Sequence, residues 1–520
     1  MSTYHLKQLQ NGSDIRGIAL TGIPGQLPNL TPDEGLRLTQ GFLLWLSNKT
    51  GKRPKALKVA VGRDPRLSGQ LLKHSVFNGF GPYGVDVLDC AIASTPAMFM
   101  STIFPEYDCD GAIMITASHL PYNRNGFKYF YKGGGLNKED ISQIISFAES
   151  DEELAALGAP TAVDSWQWLF GKKLYPSTLV DLMDTYSSHL RRLIKEGINH
   201  PSNYDRPLTG LKIFVDAGNG GGGFFATKVL EPLGADTSAS LYLYPDGTFP
   251  NHLPNPESKE VMAEASIATL SSGSDLGLIF DTDVDRSAAV DSRGHGISRD
   301  SIVALAASLI SDQHKKTTVV TDSITSDELT TFLEKDLGLK HFRFKRGYRN
   351  VINKAIELNA QGIDSQLAIE TSGHGAFKEN YFLDDGAYLA TKIVIKAALL
   401  KQEGKTLDVL LEKLQAPKES MEIRIPILTK DFAPYGDNVL DQLSTFVENH
   451  PSLTLVKPNY EGLRISCEHG WCLLRKSLHD PIMPLNIAAH NIGGCKKILD
   501  YLKDFLDGFN QLDLTLIEKI

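Results

Sequence analysis

The stretch Lys58-Val59-Ala60-Val61-Gly62 has the composition of a buried β-strand that ends at a glycine turn, and a helical pattern follows it from Ser68 to Phe80. The same rhythm recurs in short apolar runs, each ending in polar or glycine residues, at 111–116, 211–216, 276–280, 317–321 and 366–369. Strands that alternate with helices predict layered α/β structure, with functional loops at the carboxyl ends of the strands.

Breaks in this rhythm predict four domains, at residues 1–180, 181–297, 298–418 and 419–520. The segment 149–176 carries an acidic patch and two tryptophans and is predicted to be an insertion or a linker, and the segment 199–207 is polar with two prolines. From Met421 onward the chain is β-rich with a final helical tail. We therefore expect three mixed α/β domains of similar topology and a C-terminal α+β domain.

The composition excludes several classes of protein. With 42% hydrophobic residues among 520, the chain is not mainly disordered. Its formal charge of −9 argues against a dedicated nucleic-acid binder, which needs cations to neutralise phosphates. The five cysteines contain no C-x-x-C pair and indicate a reducing compartment. No apolar run is long enough for a membrane span. We expect a cytoplasmic protein, or a plastid one if a transit peptide was removed.

The loop after the predicted strand 111–115 contains Ser118, followed by His119. A serine hydroxyl is a weak nucleophile and needs a base or a polarising charge beside it. On these residues alone, a polar turn and a catalytic loop are both open interpretations.

A second loop, after the predicted strand 276–280, carries Asp281, Asp283 and Asp285 followed by Arg286. Three carboxylates at this spacing repel each other unless a cation lies between them, and Mg²⁺ is the usual cation where phosphate is handled. An EF-hand does not fit, because Arg286 stands where that loop needs glycine. The remaining alternative is a solvated acidic turn.

Two further loops contain polar groups suited to a sugar phosphate. The run 369–375 carries Glu370 and Ser372, which can hydrogen-bond to adjacent sugar hydroxyls, and the run 475–481 offers Arg475, Lys476 and Ser477 to a phosphate oxyanion. Each is weak alone, because a generic turn explains the first and a solvated basic turn explains the second. The glycine run 218–223 lacks the ending of a P-loop and is read as a structural turn that starts a helix.

Taken together and in this order, the four loops resemble the α-D-phosphohexomutase family, most closely its phosphomannomutase/phosphoglucomutase branch. Further matching stretches, spread over nearly the whole chain, are 13–17, 61–69, 249–256 and 384–386. The resemblance implies four domains around a central cleft, each contributing one loop.

The resemblance also implies a reaction. A hexose 1-phosphate and a hexose 6-phosphate (glucose, mannose or both) would interconvert through a phosphoserine at Ser118 and a hexose 1,6-bisphosphate. Mg²⁺ and a glucose 1,6-bisphosphate-type activator would be required. The implied partner is a small sugar phosphate, with no nucleic acid or membrane, and the protein would be a monomer or a dimer.

The resemblance assigns roles to individual residues as well. The catalytic residues would be Ser118, His119, Arg16 and Arg286. The metal ligands would be Asp281, Asp283, Asp285 and Ser118, and the substrate-binding residues would be Glu370, Ser372, His374, Arg475, Ser477, His479 and Lys128.

The chain departs from the family pattern at three places. Tyr348 and Arg349 stand where the branch has histidine and serine, Ile324 stands where an active-site lysine is common, and 478–479 replace an Asn-Thr pair. These departures leave the preferred sugar and the general acid/base open. They also leave a catalytically silent sugar-phosphate-binding paralogue as an alternative. A second alternative is a haloacid-dehalogenase-type phosphatase that uses Asp281, because the run 281–284 after an apolar strand resembles the D-x-D-x-[TV] motif of that class.

Overall fold

The structure, a computed structural model, describes residues 5–158, 176–477 and 480–520. It divides into two compact units, one containing Met1–Asp312 and Gln366–Leu411 and the other Gln313–Ser365 and Glu412–Ile520. Most of the predicted insertion at 149–176 lies outside the described residues, as does His479. The boundaries 1–180, 181–297, 298–418 and 419–520 stay predictions, as does the central cleft.

The strands of the described ranges follow in chain order. They are β1 (Gln10–Asn11), β2 (Asp14–Ile18), β3 (Lys58–Arg63), β4 (Asp86–Ile92), β5 (Gly111–Ile115), β6 (Arg124–Tyr131), β7 (Gly134–Gly135), β8 (Thr178–Leu179), β9 (Ile213–Asp216), β10 (Leu276–Phe280), β11 (Ser287–Asp291), β12 (Gly296–Ile297), β13 (Thr318–Thr321), β14 (Lys340–Arg343), β15 (Leu367–Ile369), β16 (Gly375–Phe377), β17 (Leu383–Asp384), β18 (Glu419–Pro426), β19 (Thr454–Leu455), β20 (Leu463–Cys467), β21 (Gly470–Leu474) and β22 (Ile482–Ala489).

The α-helices of the same ranges also follow in chain order. They are α1 (Pro32–Thr50), α2 (Gly69–Phe80), α3 (Thr95–Met100), α4 (Lys138–Glu149), α5 (Asp151–Leu154), α6 (Leu182–Ile198), α7 (Lys259–Ser272), α8 (Asp300–Ser311), α9 (Asp327–Thr331), α10 (Tyr348–Ala360), α11 (Gly386–Gln402), α12 (Phe432–Glu448) and α13 (Gly494–Leu506). The glycine run 218–223 forms a turn that leads into a helical segment, Phe225–Leu230, as predicted of a turn that starts a helix.

The first sheet of the first unit has the order β1-β2-β6-β5-β3-β4-β8, with β7 paired to β6. Its centre is parallel, because β5, β3, β4 and β8 run in one direction. Every residue of β5 is buried, as expected of a short apolar strand covered on both faces. Helix α1 begins with a capping box of Thr31 and Glu34 and packs against α2 and α4 over this sheet.

A second sheet of the same unit has the order β12-β11-β10-β9. Strand β10 is parallel to β9 and antiparallel to β11, and all its residues are buried. Strands β15, β16 and β17 form a further antiparallel run in this unit. The loops that leave β5, β10 and β15 therefore begin at buried strand ends, which hold the backbone of each loop at its root.

The second unit contains the parallel pair β13 and β14 and an antiparallel sheet of order β18-β22-β21-β20-β19. Helices α12 and α13 bury apolar faces in one core with that sheet, including Val439, Leu443, Ile498 and Leu502. A sheet of antiparallel strands with helices on it is an α+β arrangement. The predicted fold class, α/β with a C-terminal α+β domain, is confirmed.

Among the described residues, no helix combines the length and the apolar character that crossing a membrane requires. All five cysteines are within the described ranges, and none of them forms a disulfide.

Candidate active site

Ser118 lies in the loop after β5, and its side chain is buried against charged groups from the loop after β10. Its Oγ donates a hydrogen bond to Asp281 Oδ2 at 2.9 Å and accepts one from Arg286 Nη2 at 3.4 Å. The ring Nδ1 of His119 lies 3.3 Å from the same Oγ. The serine, its neighbouring histidine and the arginine of the acidic loop, separated by up to 168 positions, are thus in direct contact.

His119 is buried between cations. Burial, with the charges of Arg286 and Arg16, lowers the pKa of His119 to about 2. The ring is therefore neutral at physiological pH, and a pKa this low makes it a weak base. Arg16 is anchored through Asp14 at 2.9 Å and the carbonyl of Ala117 at 3.0 Å, directly before the serine.

The three aspartates after β10 are fully buried and lie together, with a carboxylate oxygen of each within 4.8 Å of the others. Burial and the two neighbouring carboxylates raise the pKa of Asp281 to about 8. Burial acts on Asp285 in the same direction, but Lys128, His374 and Arg286 outweigh it and lower the pKa of Asp285. Such a cluster holds more negative charge than an apolar interior tolerates without cations.

The acidic cluster suits a hard divalent cation. Its donors are all carboxylate oxygens, which Mg²⁺ prefers, and one oxygen each of Asp283 and Asp285 is buried without a hydrogen bond. The residues present therefore fit a magnesium site made of Asp281, Asp283 and Asp285. The Ser118 hydroxyl contacts the same carboxylates through Asp281.

Lys128 and Thr95 donate hydrogen bonds to the Oδ2 atoms of two aspartates in this cluster. The Lys128 ammonium bonds to Asp283 Oδ2 at 2.9 Å and to Asp285 Oδ2, and Thr95 Oγ1 donates to Asp283 Oδ2. The sequence assigns Lys128 to the substrate, and that assignment stays a prediction. Sequence reasoning misses Thr95, which opens α3, and only its place after the strand β4 could have pointed to it.

The loop after β15 places the predicted sugar-binding residues beside the acidic loop. Ser372 Oγ lies 3.4 Å from Glu370 Oε2, and Arg286 forms an antiparallel bridge with His374. Gly373 has a φ of +92°, and a Cβ there would come within 2.7 Å of the carbonyl of Ser287. Only glycine therefore allows the two loops to approach so closely.

His374 is paired with a buried carboxylate. Its Nδ1 lies 2.6 Å from Asp384 Oδ2 and 3.9 Å from Asp285 Oδ1. Burial opposes the charged ring, but Asp384 and Asp285 outweigh it and raise the pKa of His374 to about 9. An imidazolium here adds positive charge next to the acidic cluster. Sequence reasoning does not pair Asp384 with this histidine, although the run 384–386 is one of the stretches that match the family.

Arg475 and Ser477 lie in the second unit, in the loop that joins β21 to β22. Arg475 Nη1 lies 3.5 Å from Glu461 Oε1, and Ser477 Oγ accepts a hydrogen bond from the backbone N–H of Asp480 at 3.2 Å. Glu461 Oε2 in turn accepts from Ser323 Oγ at 2.7 Å and from the Arg346 N–H at 2.9 Å. Glu461 is a further residue that sequence reasoning misses.

The first unit thus brings together most of the predicted site. It holds Arg16, Ser118, His119, Lys128, Asp281, Asp283, Asp285, Arg286, Glu370, Ser372 and His374. The roles assigned to these residues, and to Arg475, Ser477 and His479, stay predictions.

A buried serine that contacts arginine and a carboxylate triad has the parts of a phosphoryl-transfer enzyme. Family models describe three successive α/β domains of this chain, phosphoglucomutase/phosphomannomutase domain I at residues 7–155, domain II at 185–294 and domain III at 298–417. These matches cover more than half of the sequence. The chain belongs to the phosphoglucomutase/phosphomannomutase family, and with it to the phosphohexomutase class of enzymes.

Relatives of similar length agree. A phosphoglucomutase of Neisseria meningitidis is 29% identical over 452 residues, 86% of this chain and 88% of its own. A phosphomannomutase/phosphoglucomutase of Pseudomonas putida is 26% identical over 465 residues, 88% of this chain and 90% of its own. A crystal structure of a family protein from Burkholderia thailandensis has the same fold, with a TM-score of 0.75 at 24% identity, covering 96% of this chain and 97% of that one.

Proposed function

We propose that the protein interconverts hexose 1-phosphates and hexose 6-phosphates by passing a phosphoryl group from Ser118 to the sugar and back. The observation that carries this proposal is the buried contact of the Ser118 Oγ with both Asp281 and Arg286. An isolated serine in a turn has no reason to meet a cation and a carboxylate inside the protein. Arg286 can neutralise the charge of a phosphoserine at this position, and Asp281 can accept the proton of the unmodified hydroxyl.

The first half-reaction moves the phosphoryl group from the serine to the free hydroxyl of the bound sugar phosphate. The bond from phosphorus to Ser118 Oγ breaks, a bond from phosphorus to the sugar oxygen forms, and the proton of the sugar hydroxyl passes to Ser118 Oγ. Arg286 lies where it can neutralise the phosphoryl oxygens, which carry the charge in a loose transition state. Arg16, held by Asp14, adds a second cation at the same loop.

The second half-reaction returns the other phosphate of the bisphosphate to Ser118. The serine proton must leave as the new bond forms. The Asp281 carboxylate, which accepts the hydrogen bond of that hydroxyl at 2.9 Å, is placed to receive it and to pass it on to the sugar oxygen that the phosphoryl group leaves. The ring of His119 lies 3.3 Å from the same Oγ. A glucose 1,6-bisphosphate-type activator would phosphorylate an unmodified enzyme by this same step.

We assign Asp281, Asp283 and Asp285, with a phosphoserine oxygen, as the residues that would hold Mg²⁺. When bound there, the ion supplies positive charge to the phosphoryl oxygens. Lys128 and Thr95 hold Asp283 in place, and Lys128 also holds Asp285.

Glu370 and Ser372 are assigned to the 3- and 4-hydroxyls of the sugar, with His374 and Lys128 nearby. Arg475, Ser477 and His479 are assigned to the phosphate that is not being transferred. A pair that reads only these two hydroxyls leaves C2 unread, so glucose and mannose both fit. A sugar inverted at C4 loses a hydrogen bond and leaves a buried polar group unpaired.

A coupled turnover assay over a panel of sugar 1-phosphates, with Mg²⁺ and glucose 1,6-bisphosphate present, tests the function. We expect turnover of the glucose or mannose compound, or of both, and little turnover of the galactose compound. Ser118→Ala should be inactive, and Ser142→Ala, on the exposed face of α4, should match the wild type. Sugar-phosphate binding without interconversion would instead identify a silent paralogue, and release of inorganic phosphate with an acyl-phosphate at Asp281 would identify a phosphatase. Neither alternative is favoured by the relatives.

We infer a monomer or a dimer in the cytoplasm or, after removal of a transit peptide, in the plastid. Light scattering on the purified protein measures the oligomeric state, and a fluorescent fusion shows the compartment.

A further inference from the structure

We propose that Arg66 is a positioning residue for phosphoryl transfer. Its buried guanidinium holds the backbone of the serine loop, defined here as residues 116–124, in the one conformation that presents Ser118 Oγ to Asp281 and Arg286. The inference rests on the proposed role of Ser118. It adds a residue that acts through the backbone of the serine loop.

All five N–H groups of the Arg66 guanidinium have acceptors, which is the full capacity of the group. Nε donates to Asp64 Oδ2 at 3.1 Å. Nη1 donates to the carbonyls of Pro121 and Arg124 at 2.7 and 3.1 Å. Nη2 donates to the carbonyl of Leu120 at 2.6 Å and to that of Ser118 itself. One side chain thus binds four carbonyls within or at the end of the serine loop.

The loop needs such support because Ser118 has a φ of +49°, in the left-handed region that non-glycine residues disfavour. A backbone in this region persists where the surroundings determine it. Here the Ser118 carbonyl accepts from Arg66, and the Ser118 N–H donates to Thr116 Oγ1 at 2.9 Å. Both peptide groups of the nucleophile are therefore fixed.

Both of those contacts lead back to one carboxylate. Thr116 Oγ1 donates to Asp64 Oδ2 at 2.7 Å, and Asp64 also accepts from the backbone N–H and the Nε of Arg66. Asp64 and Arg66 have fully buried side chains, and the ring of Phe249 lies 5.2 Å from the guanidinium carbon. The assembly is a dry network around the loop.

Stability alone does not explain this network. A buried ion pair stabilises a fold no better than apolar residues of similar volume, because both charges lose their water. Binding four carbonyls of a single loop is something that apolar residues cannot do. The hydrogen bonds from Arg66 to these carbonyls therefore fix the direction of the Ser118 side chain. An error of about 1 Å in the position of a reacting atom can cost about 10²-fold in rate.

The test compares Arg66→Lys with Arg37→Lys. Arg37 is the matched control, because it is also mostly buried and bonds to a carbonyl, that of Ala148 at 2.9 Å, and to Asp151 at 2.8 Å, away from the serine loop. Lysine keeps the charge but cannot bind four carbonyls and Asp64 together. We expect Arg66→Lys to lower kcat and the rate of Ser118 phosphorylation by glucose 1,6-bisphosphate about 10²-fold. The Kd for glucose 1-phosphate should change less than about 3-fold. Arg37→Lys should lower the melting temperature and leave both rates unchanged.

A kcat for folded Arg66→Lys within about 2-fold of the wild type would overturn the proposal, and so would equal losses in kcat and in glucose 1-phosphate affinity. If Arg66→Lys does not fold, Thr116→Val decides. It keeps the shape of the side chain and removes only the hydroxyl between Ser118 and Asp64, and we expect about a 10-fold lower kcat with unchanged Kd. No change in its kcat would overturn the proposal. The proposed function fails separately, if Ser118→Ala retains turnover.

Discussion

The serine loop of the first unit and the loop that carries Arg475 and Ser477 in the second unit, called the second loop here, are built differently. Both are assigned to phosphate. Two of the arginines around Ser118, Arg66 and Arg286, are each 1% exposed. In the second unit, the side chains of Arg475 and Glu461 are 13% and 16% exposed, and their closest atoms are 3.5 Å apart. Every N–H of the Arg66 guanidinium, which binds the serine loop, has an acceptor within 3.1 Å. The Arg475–Glu461 pair is longer and partly exposed to solvent.

This difference matches the two tasks. The nucleophile stays on the protein through the cycle and gains from a fixed direction. In the proposed cycle, the second loop binds one phosphate of the bisphosphate, releases it and then binds the other. Partly hydrated contacts can be exchanged for water at low cost, whereas fully desolvated ones cannot. Changes near Ser118 should therefore act on kcat, and changes near Arg475 should act on KM.

Arg286→Met should give the largest effect, a fall in kcat of about 10³-fold, because it removes the charge that faces the transferring phosphoryl group. KM should change little. Steady-state kinetics with glucose 1-phosphate measure both constants. Arg293→Met removes a mostly exposed arginine of the same unit and should leave kcat unchanged. A loss confined to KM would contradict the placement of Arg286.

Lys128→Met should destabilise the metal-free protein by about 3 kcal/mol, because Asp283 and Asp285 lose their buried cation. Mg²⁺ should restore most of this loss, since it supplies charge to the same carboxylates. Thermal unfolding in EDTA and in Mg²⁺ measures both effects. Lys132→Met breaks an exposed pair with Asp108 and should change stability by less than about 1 kcal/mol in either buffer. If Mg²⁺ does not stabilise the Lys128 variant more than the wild type, the carboxylates do not form the metal site.

Glu461→Gln should raise KM about 10-fold and leave kcat within about 2-fold, because a charge-assisted contact that orients Arg475 becomes a neutral one. Inorganic phosphate should also inhibit the variant more weakly than the wild type. Glu468→Gln changes an exposed carboxylate of the same sheet region and is the control. A fall in kcat at constant KM would remove the contrast between the two loops.

His341→Gln should give the smallest effect, on stability alone. Burial, with Arg343 and Arg464, lowers the pKa of His341 well below its usual value. The neutral buried ring therefore contributes stability that is fully present above the unfolded pKa of about 6.5 and is lost as the pH falls below it.

Urea unfolding between pH 7 and pH 5 measures this contribution. The wild type should lose up to about 1.4 kcal/mol per pH unit more than His341→Gln. His490→Gln, which alters a half-exposed ring of the same unit, is the control. Equal slopes for wild type and His341→Gln would show that the interior of the second unit is wetter than its hydrogen bonds indicate.

Short-range patterns predicted the elements and the positions of the loops. The strand predicted at 58–62 is β3 at 58–63, and the helix predicted at 68–80 is α2 at 69–80. The acidic run 281–286 follows β10 as expected, because an apolar run and the polar residues that follow it are visible within one window of sequence. The serine loop and the acidic run leave strands of two different sheets, β5 and β10, so no single sheet edge brings them together.

The partners of the charged residues could not be predicted in the same way. Lys128 meets Asp283 across 155 positions and Arg66 meets the serine loop across more than 50, and no periodicity links such pairs. Arg66 belongs to the run 61–69, which the sequence links only to the family resemblance. The hydrogen bonds from Arg66 to four carbonyls depend on the pairing of β3 with β5 and on the path of the serine loop, and both exist only in the folded chain.

The most direct test of the central claim is phosphopeptide mapping of the wild type and Ser118→Ala after incubation with glucose 1,6-bisphosphate and Mg²⁺. The account predicts one phosphoryl group per wild-type chain, located on Ser118, which is lost to glucose 1-phosphate on a second incubation and is absent from the variant. Phosphate on Asp281, or phosphate on Ser118 that glucose 1-phosphate does not remove, would contradict it.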